Sequence, residues 1–99
     1  MTTRKIMASA RGESCTIRLP NVCNHNPETV VFAHLNKLRF GSGRGLKSLM
    51  GAYCCSSCHD EIDFRTMIIE DRDYVYTAHL EGCLETQIKL IEKGLLVMK

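Results

Sequence analysis

The segment Cys55-Ser56-Ser57-Cys58-His59-Asp60-Glu61-Ile62-Asp63 places a pair of cysteines directly before a histidine and three carboxylates. Two cysteines separated by two residues can bind one tetrahedral zinc ion through both sulfurs. Two further cysteines lie upstream, with seven residues between them where two to four are usual. Together the two pairs predict one structural zinc site with four ligands: Cys15, Cys23, Cys55 and Cys58.

The same segment contains the pattern C-x-x-C-H, which is also the attachment signature of c-type haem. Covalent haem attachment of that kind requires export, and it would leave Cys15 and Cys23 without a role. A thioredoxin-like redox pair instead needs a βαβ frame, and no parallel strand is predicted after the next long helix. Zinc accounts for more of the chain than either alternative.

The chain has 99 residues, six cysteines and a formal net charge of +2. A domain of this size builds one modest hydrophobic core, so a bound metal would add much to its stability. Residues 1–14 contain no apolar run of signal-peptide length, and no segment approaches the roughly 20 apolar residues that cross a bilayer. We therefore expect a cytoplasmic location, reduced thiols and no membrane partner.

Apolar alternation and turn residues outline the first half of the chain. Residues 1–12 are basic and are expected to form a flexible arm, whereas residues 13–99 are expected to form a single domain. Short strands are predicted at residues 15–19 and 30–34, with a turn at residues 20–24 between them. Residues 46–53 are compatible with a strand or a short helix.

Two helices are predicted in the second half. The first begins near Cys58 with Ser56 or Ser57 as its cap, and its acidic residues would favour the positive N-terminal end. The second runs from Asp73 to near Gly94, and we expect its apolar face to cover the zinc region or to pair with a second copy in a homodimer. That face is formed by residues spaced three or four apart: Tyr76, Leu80, Leu84, Ile88, Ile91 and Leu95.

Three further residues have side chains that could bind a metal but are interpreted as part of the core. Cys54 is one position out of phase with Cys55, and Cys83 has no partner at zinc-ligand spacing. His79 shares a helix face with Cys83 because the two are four residues apart. All three are expected to be buried or boundary residues.

His34 and His59 are the candidates for chemistry at a second metal. If zinc draws Cys23 and Cys55 together, the strand ending at His34 can lie against the helix that carries His59. His59 and Asp63 share a face of that helix, so they can bind one catalytic divalent ion, either Mg²⁺ or another. Such an ion can polarise a phosphodiester while a neutral His34 takes a proton from the attacking water.

Residues 36–47, NKLRFGSGRGLK, contain four cations, three glycines and no acidic residue. The cations can neutralise phosphates, and the glycines let the backbone approach a nucleic acid closely. A solvated flexible loop is the alternative interpretation. The candidate contacts to nucleic acid are Lys37, Arg39, Arg44 and Lys47.

The order of these motifs resembles that of HNH, or ββα-metal, nucleases of the His-Me finger class. Residues 15–24, 27–34 and 55–63 closely resemble the small prophage-encoded nucleases of the YbcO-like family. The resemblance implies an α+β fold: a small zinc-stapled ββα-metal domain with a C-terminal amphipathic helix. It also implies a metal-dependent endonuclease, encoded by a phage or prophage, that processes or recombines DNA.

Within this resemblance, His34 matches the general base, and His59 and Asp63 match ligands of the catalytic ion. Two positions depart from the common HNH pattern. Ala33 stands where an aspartate usually precedes the first histidine, which removes a possible metal ligand, and the middle asparagine has no clear counterpart. The alternative function is a non-catalytic zinc module that binds DNA or a recombination partner through the basic loop.

Overall fold

The computed structural model describes residues 3–34 and 51–96. The described elements are helix α1 (Thr3–Ala8), a 3-10 helix (Pro27–Thr29), strand β1 (Val31–His34), strand β2 (Gly51–Cys54), helix α2 (Ser56–Ile62) and helix α3 (Arg72–Glu92). The four cations of the basic segment, Lys37, Arg39, Arg44 and Lys47, lie outside the described residues. So do residues 46–50, the first part of the segment predicted as a strand or a short helix.

The sheet consists of β1 and β2, which pair antiparallel with His34 opposite Gly51. Glycine is required there because a Cβ atom at Gly51 would lie 2.1 Å from a ring carbon of Phe32. The Phe32 ring also meets the His34 ring edge to face, with centroids 5.3 Å apart. The strand predicted at residues 30–34 is confirmed as β1. It ends at His34, whose ring is held against the ring of Phe32.

Helix α3 packs against β2 through small residues. A Cβ atom at Gly82 would lie 2.9 Å from the side chain of Ile17, so the helix approaches the N-terminal loop closely. The Thr16 hydroxyl bonds the backbone carbonyls of Tyr53 and Gly82 at 3.0 and 3.2 Å, and it lies 3.2 Å from the Thr86 hydroxyl. This buried hydrogen-bond network fixes α3 on the hairpin.

The apolar face predicted for α3 points away from the core. The helix bounds agree with the prediction, but the predicted face is 38–59% exposed at Tyr76, Leu80, Leu84, Ile88 and Ile91. The buried face instead carries Val75, His79, Gly82, Cys83, Thr86 and Leu90. The prediction was wrong because the small residues Gly82 and Thr86 form the close contact with the N-terminal loop and β2, which turns Leu80, Leu84 and Ile88 to the outer side.

Two predictions for the N-terminal region also differ from the structure. The segment predicted as a flexible arm contains α1, and Ile6 and Ala10 are buried in the core. Residues 15–19 do not form a strand, because Arg18 has a positive φ of 49° and its backbone N–H turns back to the sulfur of Cys15. The N-terminal residues therefore wrap the core before the first cysteine.

Helix α2 begins two residues earlier than predicted, and Cys55 rather than a serine is its cap. Its first turn contains no acidic residue, and Asp63 is the C-cap. The expected stabilisation of the helix N-terminus by Asp60, Glu61 and Asp63 is therefore wrong. These acids make side-chain bonds beyond the helix instead.

Candidate functional site

The four cysteines predicted to bind zinc come together in space. Their sulfurs all lie within 4.8 Å of one another. A tetrahedral ion with Zn–S bonds of 2.3 Å needs sulfurs about 3.8 Å apart. The sulfurs of Cys23 and Cys55 are separated by 3.8 Å. Donor type and spacing therefore fit a structural zinc ion held by Cys15, Cys23, Cys55 and Cys58.

Backbone N–H groups point at two of these sulfurs. Cys58 donates to the sulfur of Cys55, and Arg18 donates to the sulfur of Cys15, each at 3.4 Å. Hydrogen bonds of this kind stabilise negative charge on sulfur. The two loops that supply the ligands are thus shaped to present thiolates to a cation.

The protonation of the cluster depends on such a cation. Burial raises the pKa of Cys23 to about 11, whereas hydrogen bonds from Cys54 and Cys58 lower the pKa of Cys15. A bound zinc ion keeps coordinating thiols deprotonated, so zinc binding would release protons. Acid would accordingly weaken zinc binding.

The two remaining cysteines are buried, as expected. Cys54 donates a hydrogen bond to the carbonyl of Cys55 at 3.3 Å and also lies against the sulfur of Cys15. Burial raises the pKa of Cys83 to about 12, which keeps this thiol protonated and unreactive. The interpretation of both as core residues is confirmed.

A cavity of about 630 Å³ lies where the end of β1 meets α2 and the first turns of α3. His34 and Asp63, two of the predicted site residues, both line it. Eight further residues that line it were not predicted to serve the site: Ile62, Phe64, Arg65, Arg72, Asp73, Val75, Tyr76 and His79. The structure therefore brings the end of the first strand and the end of α2 to one concave surface.

The predicted metal-binding pair on α2 is joined directly. Nε2 of His59 lies 3.1 Å from Oδ2 of Asp63, and both side chains are partly exposed. His59 is not among the residues lining the cavity, so it reaches the site through Asp63. Within residues 3–34 and 51–96, the four cysteines form the one preassembled group of three or more metal-binding side chains.

His79 adds a second imidazole to the cavity wall. Its Nε2 lies 3.0 Å from the carbonyl oxygen of Ala33, which can only accept, so Nε2 carries the hydrogen. Burial lowers the pKa of His79 and favours the neutral ring. The hydrogen bond to Ala33 and the charge of Asp63 act in the opposite direction and raise the pKa. The nearby rings of His59 and His34 lower it further. The sequence placed His79 correctly in the core but gave no sign that it meets Ala33.

A buried carboxylate shapes the other wall. Glu61 is fully buried and accepts bonds from the hydroxyl of Thr66, from the backbone N–H groups of Ile68 and Ile69, and from Arg72 at 2.8 Å. Although burial raises its pKa, these bonds lower the pKa of Glu61 to about 2. The ionised side chain therefore holds the loop between α2 and α3.

Arg72 connects the loop held by Glu61 to the wall of the cavity. Its guanidinium bonds both the carboxylate and the backbone carbonyl of Glu61, and it stacks 4.7 Å from the centre of the Phe64 ring. Phe64 itself adopts a positive φ of 64°, which is unfavourable for a bulky residue. The loop is thus held in a defined shape beside Asp63.

Fold and site together define a small α+β protein in which four clustered cysteines, able to hold a metal ion, lie in the same fold as a cavity lined by histidine and aspartate. Residues 4–95 match the model of the protein family described as "Putative nuclease YbcO". The match spans most of the chain, and the chain belongs to this family.

Two curated relatives agree with that assignment. "Putative nuclease YbcO" of Escherichia coli (strain K12) is 42% identical over 89 residues, which cover 89% of this chain and 92% of the relative. "Putative nuclease ybcO" of Enterobacteria phage 82 matches with the same identity and coverage. The chain is thus similar to proteins of both a bacterial and a phage genome.

A solved structure has the same fold. "Structure of a putative bacteriophage protein from Escherichia coli str. K-12 substr. MG1655" superposes with a TM-score of 0.74 at 41% sequence identity. The match covers 89% of this chain and 98% of that one. Among the residues described for this chain, no helix has the length and apolar character needed to span a membrane.

Proposed function

We propose that this chain is a metal-dependent endonuclease of HNH type that hydrolyses phosphodiester bonds in DNA. The observation that carries the proposal is the cavity shared by His34 and Asp63, with His59 bonded to Asp63. The order β1, β2, α2 agrees with a ββα-metal unit. The nuclease names of the relatives support the same activity, and the phage source of one relative supports a role in phage DNA processing or recombination.

His34 is the proposed general base. It ends β1, it lines the cavity, and its contact with Phe32 restricts the ring. A neutral imidazole there takes a proton from water as the water oxygen attacks phosphorus and the bond to the leaving oxygen breaks. Positioned proton transfer of this kind contributes roughly 10²- to 10⁴-fold to a rate.

His59 and Asp63 are the proposed ligands of a divalent ion. Their direct contact places one nitrogen and one oxygen donor side by side, a donor pair suited to such an ion. A divalent ion held by these two residues would stabilise negative charge on the phosphate and on the leaving oxygen. Asp63 also lies 3.8 Å from Arg65, so the carboxylate is held from two sides.

Cationic residues are the proposed contacts to the nucleic-acid backbone. Arg65 lies at the cavity with a side chain that is 60% exposed, and its guanidinium is available to a flanking phosphate in exchange for Asp60. The four cations of the basic segment, Lys37, Arg39, Arg44 and Lys47, are proposed to bind further phosphates without reading the base sequence.

A plasmid-nicking assay tests the proposal. Zinc-loaded protein should nick DNA in the presence of a divalent ion, and His34→Ala should lower the rate by roughly 10²-fold or more without loss of zinc. His25→Ala is the matched control, since His25 is an exposed histidine that does not line the cavity. Its zinc content is measured as well, because Nδ1 of His25 lies 3.7 Å from the sulfur of Cys23. Folded, zinc-loaded protein that binds DNA but does not cut it in the presence of any divalent ion would favour the non-catalytic zinc module instead.

A further inference from the structure

We propose that the cavity beside His34 binds one unpaired base of the DNA substrate, stacked against the rings of Phe64 and Tyr76. The preferred substrate is therefore DNA with an unpaired nucleotide at the scissile phosphate, as in a single strand or a bulge, rather than intact duplex. The inference rests on the proposed function for the position of the scissile phosphate, but base binding can be measured without cleavage.

The shape of the cavity suits one base rather than a duplex. Its volume of about 630 Å³ falls within the roughly 300–1,000 Å³ that is typical of sites for small molecules. Bases in a duplex are stacked inside the helix, so a concave site can receive a base only after that base has left the stack. A nucleotide that is already unpaired needs no extraction, and its base therefore enters the cavity at lower cost.

Two aromatic rings supply the surface for stacking. Phe64 and Tyr76 both line the cavity, and they are 45% and 38% exposed. Aromatic side chains bind the flat faces of bases, and every base has such a face, so this contact tolerates any base sequence. Ile62 and Val75 add apolar surface to the lining. The cavity therefore offers a base the kind of surface that proteins use to hold unpaired nucleotides.

Phe64 is held in place before any base binds. Its backbone has a positive φ of 64°, a conformation that bulky residues rarely adopt and that is concentrated at ligand and active sites. The guanidinium of Arg72 lies 4.7 Å from the centre of the ring, and Arg72 is itself bonded to the buried Glu61 at 2.8 Å. Because the ring is already ordered, binding a base costs little conformational entropy at this side chain.

The proposed catalytic groups border the same space. His34 and Asp63 line the cavity together with the two rings. A base is joined to its phosphate through a single sugar, so a base held in the cavity brings that phosphate to the cavity edge. Arg65 also lines the cavity, and its side chain is 60% exposed, which suits it to bind the phosphate next along the strand. Base binding thus positions the scissile bond.

Affinity for DNA tests the proposal in protein that lacks the proposed general base. Zinc-loaded His34→Ala protein is titrated against fluorescently labelled DNA without added divalent ion, and binding is followed by fluorescence anisotropy. One probe is a fully paired duplex, and the other is the same duplex with one unpaired nucleotide in a bulge. We expect the bulged duplex to bind at least about tenfold more tightly, the scale of one stacked base. Equal affinity for the two probes would overturn the proposal.

Removing each ring separates base stacking from general affinity for DNA. Phe64→Leu and Tyr76→Leu, each made in the His34→Ala protein, should weaken binding of the bulged duplex by roughly 5- to 150-fold, the range for a base stacked on one aromatic side chain. Binding of the fully paired duplex should not change. Equal losses for both probes, or no loss in either variant, would overturn the proposal.

Three further variants control for the loss of bulk. Phe64→Tyr and Tyr76→Phe keep an aromatic ring at each position and should keep the affinity for the bulged duplex. Tyr74→Leu is the matched control, since Tyr74 is 47% exposed on the same helix as Tyr76 but does not line this cavity. A loss in Tyr74→Leu as large as that in Tyr76→Leu would contradict a specific role for the cavity.

A measurement on the unaltered chain avoids any folding defect of the variants. 5-Iodouracil replaces the unpaired base of the bulged duplex, and the complex with the zinc-loaded chain is irradiated without added divalent ion, so that the base crosslinks to a side chain it contacts. We expect peptide mass spectrometry to locate the crosslink at Phe64 or Tyr76. Crosslinks confined to other residues, or an equal yield at these two from a fully paired duplex, would overturn the proposal.

The outcomes for base binding and for activity are separable. A preference for bulged DNA that depends on Phe64 and Tyr76, in a protein that never cuts DNA, would support the base site and contradict the nuclease proposal. Cleavage that depends on His34, with equal rates on paired and bulged DNA and no effect of either ring variant, would support the nuclease and overturn the base site.

Discussion

The sulfurs of Cys23 and Cys55 lie 3.8 Å apart, although 32 positions separate them in the sequence. Cys23 belongs to the irregular N-terminal loop, and Cys55 caps the helix that carries His59. The four-cysteine cluster therefore connects the N-terminal loop to the proposed catalytic helix. Loss of the metal should disturb both the stability of the fold and the position of His59.

We expect Cys55→Ser to lose zinc and to lower the melting temperature sharply, because metal binding and folding are coupled in small metal-stapled domains. Chelation of the native protein should have the same effect. Native mass spectrometry gives the zinc content, and circular dichroism gives the melting temperature. Cys54→Ser is the matched control, since Cys54 is equally buried but is not a ligand. An unchanged melting temperature in Cys55→Ser would contradict the zinc assignment.

His59→Ala should weaken binding of the catalytic ion while the cysteine centre stays loaded with zinc. Asp63 and the scissile phosphate would still offer oxygen ligands, so nicking activity should recover partly at high Mn²⁺. His34→Ala should show no such recovery, because it lacks a base rather than a ligand. The measurement is nicking rate against Mn²⁺ concentration, and identical dose curves for the two variants would refute their separate roles.

Glu61→Gln should destabilise the protein by about 3 kcal/mol at neutral pH, the scale for breaking a buried ion pair. The Glu61 pKa falls from an ordinary 4.5 to about 2 in the fold. The contribution of ionised Glu61 to the stability of the fold is therefore complete above about pH 4.5, and it is lost as the pH falls towards 2. Urea denaturation of both proteins tests this, since the stability difference should shrink only below about pH 4.5. A constant difference across that range would argue against an ionised Glu61.

The two faces of α3 should respond differently to substitution. Leu84→Gln and Ile88→Gln, on the exposed face, should each change stability by about 0.5 kcal/mol or less. Leu90→Ala, on the buried face, should cost about 2–5 kcal/mol. Urea denaturation measures all three. A large loss in Leu84→Gln that disappears on dilution would instead show that a second copy of the chain covers the exposed face.

Replacing Lys37, Arg39, Arg44 and Lys47 together by alanine should weaken binding to unrelated DNA sequences alike. Each lost phosphate contact should also reduce the dependence of affinity on salt, because fewer counterions are released. Gel-shift titrations at several salt concentrations measure both effects. Affinity and salt dependence equal to those of the parent would exclude this segment as the contact surface.

Local spacing was enough to predict several parts of the molecule. The two-residue gap between Cys55 and Cys58 is set by the reach of two sulfurs toward one ion, so the cysteine cluster could be predicted from the sequence. The bounds of β1 and α3 also followed from short-range patterns of apolar residues. The pairing of His59 with Asp63 required only the pitch of a helix.

Other features depend on contacts between distant residues. The buried face of α3 is selected by the fit of Gly82 against Ile17, which no periodicity reveals. Ile6 is buried within a segment whose basic composition predicted an arm. Glu61 and His79 gain their roles from partners at Arg72 and Ala33, which are close only in the folded chain.

The bond between Glu61 and Arg72 also limits how this family can diverge. Changing either residue alone leaves the other charge, buried at Glu61 and partly exposed at Arg72, without its partner. We therefore expect the two positions to vary together among relatives, with an acid at one accompanied by arginine at the other. Relatives that differ at only one of these two positions should be rare. We expect substitutions at positions 61 and 72, which hold the loop beside Asp63, to occur in pairs.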